Sequence, residues 1–218
     1  MDAIRVFVVE DQPKILKNLI KLLDKFPAIQ IVGKALSGEE ALESLAAAAP
    51  HVLLLDLGLP HMNGIEVTRE VRKRFPGMEI LIFTIFDEEE KVLEAIQAGA
   101  SGYLLKGMEA EKIVDAIQEV HAGGSVIQPN LARSLLRHFM SQPAPSPGAE
   151  EPVPQLTARE VEILQVIAKG LSNAEAARVL KVSRATIRTH LEHIYAKLSV
   201  SNRVEAITEG IRQGLIDV

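Results

Sequence analysis

Aliphatic residues follow two alternating rhythms over the first half of the chain. Short unbroken runs occur at Val6-Phe7-Val8-Val9, Val52-Leu53-Leu54-Leu55, Ile80-Leu81-Ile82-Phe83 and Tyr103-Leu104-Leu105. Between them lie longer stretches in which apolar residues recur every three or four positions. The runs read as strands buried on both faces of a parallel sheet, and Ile29–Ala35 reads as a further strand. After the first run, Pro13 suits the first turn of a helix. Ile15, Leu16, Leu19, Ile20, Leu23 and Phe26 then make one apolar face. Ser37-Gly38-Glu39-Glu40 opens the next helix as a capping box. Five strands alternating with five helices predict an α/β domain with a doubly wound, five-stranded parallel sheet over residues 1–122.

The rhythm then changes. Residues 123–154 are expected to hold an extra helix over Leu131–Phe139 and a linker. In the linker, Pro143, Pro145, Pro147, Pro152 and Pro154 sit among Ala, Ser, Gly and Glu. Such a segment cannot bury a core and reads as extended and partly stiff. Residues 155–218 predict a second, smaller all-α domain. Thr157-Ala158-Arg159-Glu160 and Ser172-Asn173-Ala174-Glu175 each open a helix as a capping box, and Gly170 stops the first. Ser183 caps a third helix, with Ile187, Leu191, Ile194 and Leu198 on one face, and a fourth runs from Arg203 to Arg212. Two short helices, a tight turn and a helix with a polar outer face are the layout of a helix-turn-helix DNA reader.

Composition narrows the chemistry. The 218 residues are 47% hydrophobic but 4% aromatic with no Trp, so the cores are aliphatic. The absence of Cys excludes disulfides, thiolate catalysis and Cys-based zinc sites. Met1-Asp2-Ala3-Ile4-Arg5 runs into a strand without a signal-peptide pattern. No apolar stretch approaches the roughly 20 residues of a membrane span, so a cytoplasmic protein without a membrane partner is expected. Of the net charge of −5, residues 155–218 carry +2. That balance fits nucleic acid binding without establishing it.

Glu10-Asp11, Asp56, Thr84 and Lys106 each stand just after a strand run. A single acid, Thr or Lys in such a place is ordinarily a solvated loop residue or a helix cap. Their joint occurrence on four strands is different, because a parallel sheet gathers its carboxyl ends into one crevice. An aspartate there can accept a phosphoryl group as an acyl phosphate, and Asp56 is the candidate nucleophile. Magnesium prefers oxygen ligands and keeps several waters. Asp11 would bind it directly and Glu10 through water, and the Gly58 carbonyl would add a neutral ligand. Lys106 would pair with a phosphoryl oxygen as a point charge, and Thr84 would hydrogen-bond another.

Residues 1–122 also resemble the receiver domain of a two-component response regulator. The matching positions are Glu10-Asp11, Asp56, Leu59-Pro60-His61-Met62-Asn63-Gly64, Thr84, Gly99-Ala100 and Gly102-Tyr103-Leu104-Leu105-Lys106. The resemblance implies a flavodoxin-like fold and a Mg2+ cofactor held by Glu10, Asp11, Asp56 and Gly58. It makes Asp56 the phosphoacceptor, puts Thr84 and Lys106 on the phosphoryl group, and makes Tyr103 the aromatic that changes rotamer on activation. It implies a sensor histidine kinase as phosphoryl donor.

In the second domain, Leu156-Thr157-Ala158-Arg159-Glu160, Gly170-Leu171-Ser172-Asn173, Ser183–His190, Lys197-Leu198 and Arg203 resemble the LuxR-type helix-turn-helix of NarL/FixJ regulators. Docking of Ile187, Leu191 and Ile194 leaves Arg184, Thr186, Arg188, Thr189 and Glu192 for a major groove. Arg188 is the first choice for bridging two acceptors of guanine. Lys181, Arg184, Lys197 and Arg203 are expected on phosphates. Glu192 departs from relatives that place a basic residue on this face. It would repel the DNA backbone unless it met a cytosine amine; otherwise it is a solvated surface acid. His190 and His193 stand three apart on one helix, a spacing that can bind metal. With no Cys and no nearby acid of suitable geometry evident, no zinc site is expected, and His190 is read as structural.

The expected function is a phosphorylation-controlled transcription factor that binds promoter DNA and forms a homodimer on activation. A dimer would span half-sites about one helical turn apart. An aspartyl-nucleophile phosphatase is the competing reading. Such enzymes typically place a second Asp two residues after the first, where this chain has Gly58, and no cap segment is evident, so no enzyme is expected. A constitutive DNA binder with a degenerate receiver is disfavoured by the complete set of acids and Lys106.

Overall fold

The computed structural model describes residues 3–127 and 156–217. The N-terminal part contains β1 (Ile4–Val9), α1 (Pro13–Leu23), β2 (Ile29–Ala35), α2 (Gly38–Ala48), β3 (Val52–Leu55), α3 (Gly64–Arg74), β4 (Glu79–Thr84), α4 (Glu89–Gln97), β5 (Gly102–Leu105) and α5 (Ala110–His121). The strands are parallel in the order β2-β1-β3-β4-β5, the flavodoxin-like winding. Alternation along each strand explains why the apolar runs are unbroken. Val6, Val8, Val52, Leu54, Leu81, Phe83 and Leu104 pack with Leu16, Leu19 and Leu23 of α1 and Ile113, Val114, Ile117 and Val120 of α5. The intervening Phe7, Val9, Leu53, Leu55, Ile80, Ile82 and Tyr103 are buried too and, by the period of two, point the other way.

Local sequence accounts for the element boundaries. Pro13 occupies the first turn of α1. Ser37 accepts the Glu40 N–H at 3.2 Å, but the Glu40 carboxylate reaches past it to the Leu36 N–H at 2.7 Å, so the expected box is displaced by one residue. A box not anticipated from sequence opens α3, where Asn63 Oδ1 accepts the Ile65 and Glu66 N–H groups and Glu66 accepts the Asn63 N–H. The β1–β2 pairing carries a register shift between Val6 and Phe7. Gly33 lies against the Phe7 ring, where any Cβ would overlap it.

The C-terminal part contains α6 (Ala158–Ala168), α7 (Asn173–Leu180), α8 (Arg184–Leu198) and α9 (Arg203–Arg212). Both expected capping boxes are formed, by Thr157 with Glu160 and by Ser172 with Glu175. Gly170, at φ +84, follows the end of α6. Lys181 ends α7 in the left-handed conformation at φ 55, and Val182 N–H bonds back to the Ala177 carbonyl at 3.0 Å. The turn into α8 is therefore only Lys181-Val182-Ser183. Ile163, Leu164, Ile167, Ala176, Ala177, Ile187, Leu191, Ile194, Leu198, Ala206 and Ile216 make a separate core.

Two compact units result: Val126 and Ile127 group with the sheet, and Ala122–Ser125 group with the C-terminal helices. The helix expected over Leu131–Phe139 and the proline-rich linker lie outside the described residues. Among the described residues, no helix is long and apolar enough to cross a membrane.

Gly64 brings the start of α3 against the backbone beneath Asp56. A Cβ there would overlap the Asp56 carbonyl and stand 2.6 Å from Leu57 Cα. Gly64→Ala is expected to lower the stability of the sheet domain by about 1–3 kcal/mol, measured by urea unfolding. An undiminished midpoint would contradict this packing.

Candidate functional site

The carboxyl ends of β1, β3, β4 and β5 place the acids, the hydroxyl and the amine where the sequence puts their backbones. Asp56 N–H continues the ladder onto the Val9 carbonyl at 3.0 Å, and Lys106 N–H onto the Thr84 carbonyl at 2.7 Å. Lys106 Nζ then lies 2.6 Å from Asp56 Oδ2 and 2.6 Å from Glu10 Oε2. Glu10 is 1% exposed and Asp56 5%, whereas Asp11 is half-buried. Oxygens of Glu10, Asp11 and Asp56 all lie within 4.8 Å of one another.

Burial pushes the Glu10 carboxyl above the usual range, aided by Asp56 and opposed by Lys106. Burial would depress Lys106, but its hydrogen bonds to Asp56 and Glu10 prevail and hold its ammonium above the ordinary lysine value. Three carboxylates facing one ammonium leave a formal surplus of two negative charges. Glu10 Oε2 lacks a well-directed hydrogen bond, and Asp56 Oδ1 and Thr84 Oγ1 are buried with no partner at all. An unpaired buried polar group costs about 1–3 kcal/mol, so the pocket is poised for a cation and an oxyanion.

Gly58 is exposed and its absent side chain is not forced, since a Cβ would meet Phe86 at 3.5 Å and Asp56 Oδ2 at 3.7 Å. Tyr103 is fully buried, and its hydroxyl donates to the Phe86 carbonyl at 2.8 Å. Burial and the acids Glu88, Asp56 and Asp87 raise its pKa far above the usual phenol value. Ile85, beside Thr84, is 71% exposed.

In the C-terminal unit, Ser183 Oγ accepts the Thr186 N–H at 3.0 Å, which starts α8. Ile187, Leu191, Ile194 and Leu198 are buried, as the spacing predicts. Arg184, Arg188, Thr189, Glu192 and Lys181 are exposed, and Thr186 is half-buried. Arg188 Nε and Glu192 Oε1 form an i,i+4 ion pair at 3.3 Å.

Residues 6–118 match the response regulator receiver domain, and residues 154–209 match the bacterial regulatory proteins of the luxR family. The chain belongs to the response regulators. It is similar to the transcriptional regulatory protein DegU of Brevibacillus brevis, at 31% identity over 100% of this chain and 97% of that protein. It is also similar to the nitrate/nitrite response regulator protein NarL of Escherichia coli, strain K12, at 35% identity over 92% of each. A crystal structure of the response regulator ChrA of a heme-sensing two-component system matches with a TM-score of 0.53 and 36% identity. That match covers 99% of this chain and 100% of the other. The protein is thus a transcriptional response regulator with a receiver and a LuxR-type DNA-binding domain, in a family of regulators rather than enzymes.

Two basic residues of this response regulator stand where the sequence did not put them. Arg203, expected on DNA phosphates, is 8% exposed. Its guanidinium donates to the carbonyls of Ile167, at 3.0 Å, and Leu171, closing the end of α6 and the turn after it. A guanidinium serves this role because its fork satisfies several carbonyls at once. Lys197, also expected on phosphate, bonds Glu160 Oε2 at 2.7 Å and is only partly exposed. Glu160, whose role went unnoticed beyond its cap, is 4% exposed. The i,i+3 signal Thr157-x-x-Glu160 foretold the cap; the partner 37 positions away in sequence left no local trace.

Burial opposes ionisation of Glu160, but Lys197 and the Thr157 N–H and O–H outweigh it and hold the carboxyl down to about 2, against an ordinary 4.5. The stability this contributes is complete above pH 4.5 and is lost as pH falls toward 2. Glu160→Gln is expected to flatten the acid limb of the helical domain's unfolding free energy between those values. An unchanged acid limb in urea titrations would contradict the assignment.

Proposed function

We propose that this response regulator is switched by magnesium-dependent phosphorylation of Asp56 and reads promoter DNA with α8. The observation that carries the first half is a cluster of three carboxylates sharing one ammonium, with Asp56 Oδ1 and Thr84 Oγ1 buried and without a hydrogen-bond partner. The donor set fits a hard divalent ion: Asp11 and Asp56 would hold it directly, Glu10 through water, with the Gly58 carbonyl as a neutral ligand. When bound, magnesium supplies charge neutralisation for the phosphoryl oxygens.

A carboxylate oxygen of Asp56 attacks the phosphorus of a phosphohistidine on the sensor kinase. An oxygen–phosphorus bond forms, the phosphorus–nitrogen bond breaks, and the imidazole leaves with the bonding pair. Lys106, already 2.6 Å from Asp56, pairs with one new phosphoryl oxygen, and the Thr84 hydroxyl donates to another. Moving Thr84 makes room for Tyr103, which exchanges its bond to the Phe86 carbonyl for a new rotamer. The rearranged surface favours the homodimer, a two-state element biased by one added charge.

On DNA, Arg188 bridges guanine acceptors, Arg184, Thr186 and Thr189 flank it, and Lys181 lies on phosphate. Glu192 accepts from a cytosine amine while keeping Arg188 in the groove plane through their ion pair. Lys197 and Arg203, occupied inside the domain, act on DNA by holding its shape. Action on promoter DNA places the working protein in the cytoplasm.

With a small phosphodonor and Mg2+, the parent protein should be labelled and its operator binding stimulated, and Asp56→Asn should lose both. Equal labelling of that variant would overturn the assigned acceptor. Arg188→Ala should weaken specific binding by about 1–3 kcal/mol and relax base preference at one position, read by selection of bound fragments. A uniform loss across all sequences would reduce Arg188 to a phosphate contact.

A further inference from the structure

The recognition helix carries a second group of metal-ligating side chains, unrelated to the receiver pocket. His190 and His193 lie three apart on α8, and the fold brings Glu160 of α6 to them. One nitrogen of each imidazole and one oxygen of Glu160 all lie within 4.8 Å of one another. This is the acid that the sequence left unseen, since 30 residues separate it from His190. His190 is half-buried, and its Nδ1 atom is buried with no hydrogen-bond partner. A buried imidazole nitrogen ordinarily finds a donor or acceptor, so this one is short of a ligand.

The state of Glu160 decides what could bind. The Thr157 N–H and O–H and the Lys197 ammonium all converge on Oε2, at 2.7, 2.8 and 2.7 Å. Oε1 takes none of these bonds and is the oxygen available for coordination. A capping box and an ion pair therefore hold the carboxylate in place, much as outer contacts orient a metal ligand. His193 is exposed, which gives an ion a path from solvent. Two imidazoles and one carboxylate, with a position left for water, suit a borderline ion of the zinc class rather than magnesium, which demands oxygen. The Lys197 charge beside Glu160 opposes a divalent ion and makes the site weaker than a structural zinc site.

We propose that Glu160, His190 and His193 form a transition-metal site that staples the start of α6 to the DNA-reading helix α8. An ion there ties the helix that enters the groove to the helix that supports it, so metal and DNA affinity are thermodynamically linked. The site needs neither Asp56 nor phosphorylation, so it stands or falls apart from the switch.

Co2+ serves as a spectroscopic probe for the zinc class, titrated into the full chain with Mg2+ in excess to occupy the receiver pocket. The parent should develop the visible bands of a four-coordinate cobalt ion, and Zn2+ should bleach them. His193→Ala, a surface change that leaves the helix core intact, should lower the affinity by more than about tenfold with unchanged circular dichroism. Asp11→Asn should leave it unaltered. Parent-like binding by His193→Ala, or loss of the bands in Asp11→Asn, would overturn the proposal. So would a parent protein that shows no bands under these conditions.

Discussion

The Lys106 ammonium, 2.6 Å from both Glu10 and Asp56, makes the acidic edge of the sheet tolerable. Two carboxylates almost wholly removed from water would each carry a desolvation penalty of several kcal/mol if left alone. One ammonium offsets part of that penalty but not all, because Asp11 adds a third negative charge. The result is a folded domain that retains local electrostatic demand. In the proposed switch a second cation would lower that demand, and a phosphoryl group brought with it would add oxygens for Lys106 and Thr84 to bond. The fold is thus stable enough to exist and unsatisfied enough to respond.

The helical domain uses the same device to the opposite end. Glu160 is as buried as the receiver acids, yet the hydrogen bonds from Thr157 and Lys197 hold it firmly ionised. Charge there is settled and serves rigidity, fixing α6 against α8. Arg203 does likewise, its guanidinium consumed by the carbonyls of Ile167 and Leu171. Basic residues in this small domain divide by burial. Arg184 and Arg188 are exposed on α8, the helix proposed to read DNA, while Lys197 and Arg203 bond within the domain.

Much of this was readable in the chain because it rests on local signals. Unbroken aliphatic runs marked strands covered on both faces, and the residues after Val9, Leu55, Phe83 and Leu105 had to meet at one edge once the sheet was parallel. Thr157, Ser172 and Ser183 declared their helices through caps three residues long. What stayed hidden depends on long-range packing. Charge alone does not distinguish Arg203, buried on carbonyls, from Arg188, exposed and ion-paired with Glu192. The pairing of Glu160 with Lys197, and its approach to His190 and His193, requires the α6–α8 packing itself. The β1–β2 shift between Val6 and Phe7, with the Phe7 ring lying against Gly33, is a feature that no period in the sequence announces.

Glu10, Asp11 and Asp56 are proposed to share one divalent cation beside Lys106. The most direct test is the thermal midpoint of the receiver transition as Mg2+ is added without phosphodonor, in the parent chain and in Asp11→Asn. A ligand that binds the folded state raises the midpoint as its concentration exceeds its dissociation constant. The midpoint should rise in the parent and stay flat in the variant. A parent indifferent to Mg2+, or a variant that responds equally, would contradict it.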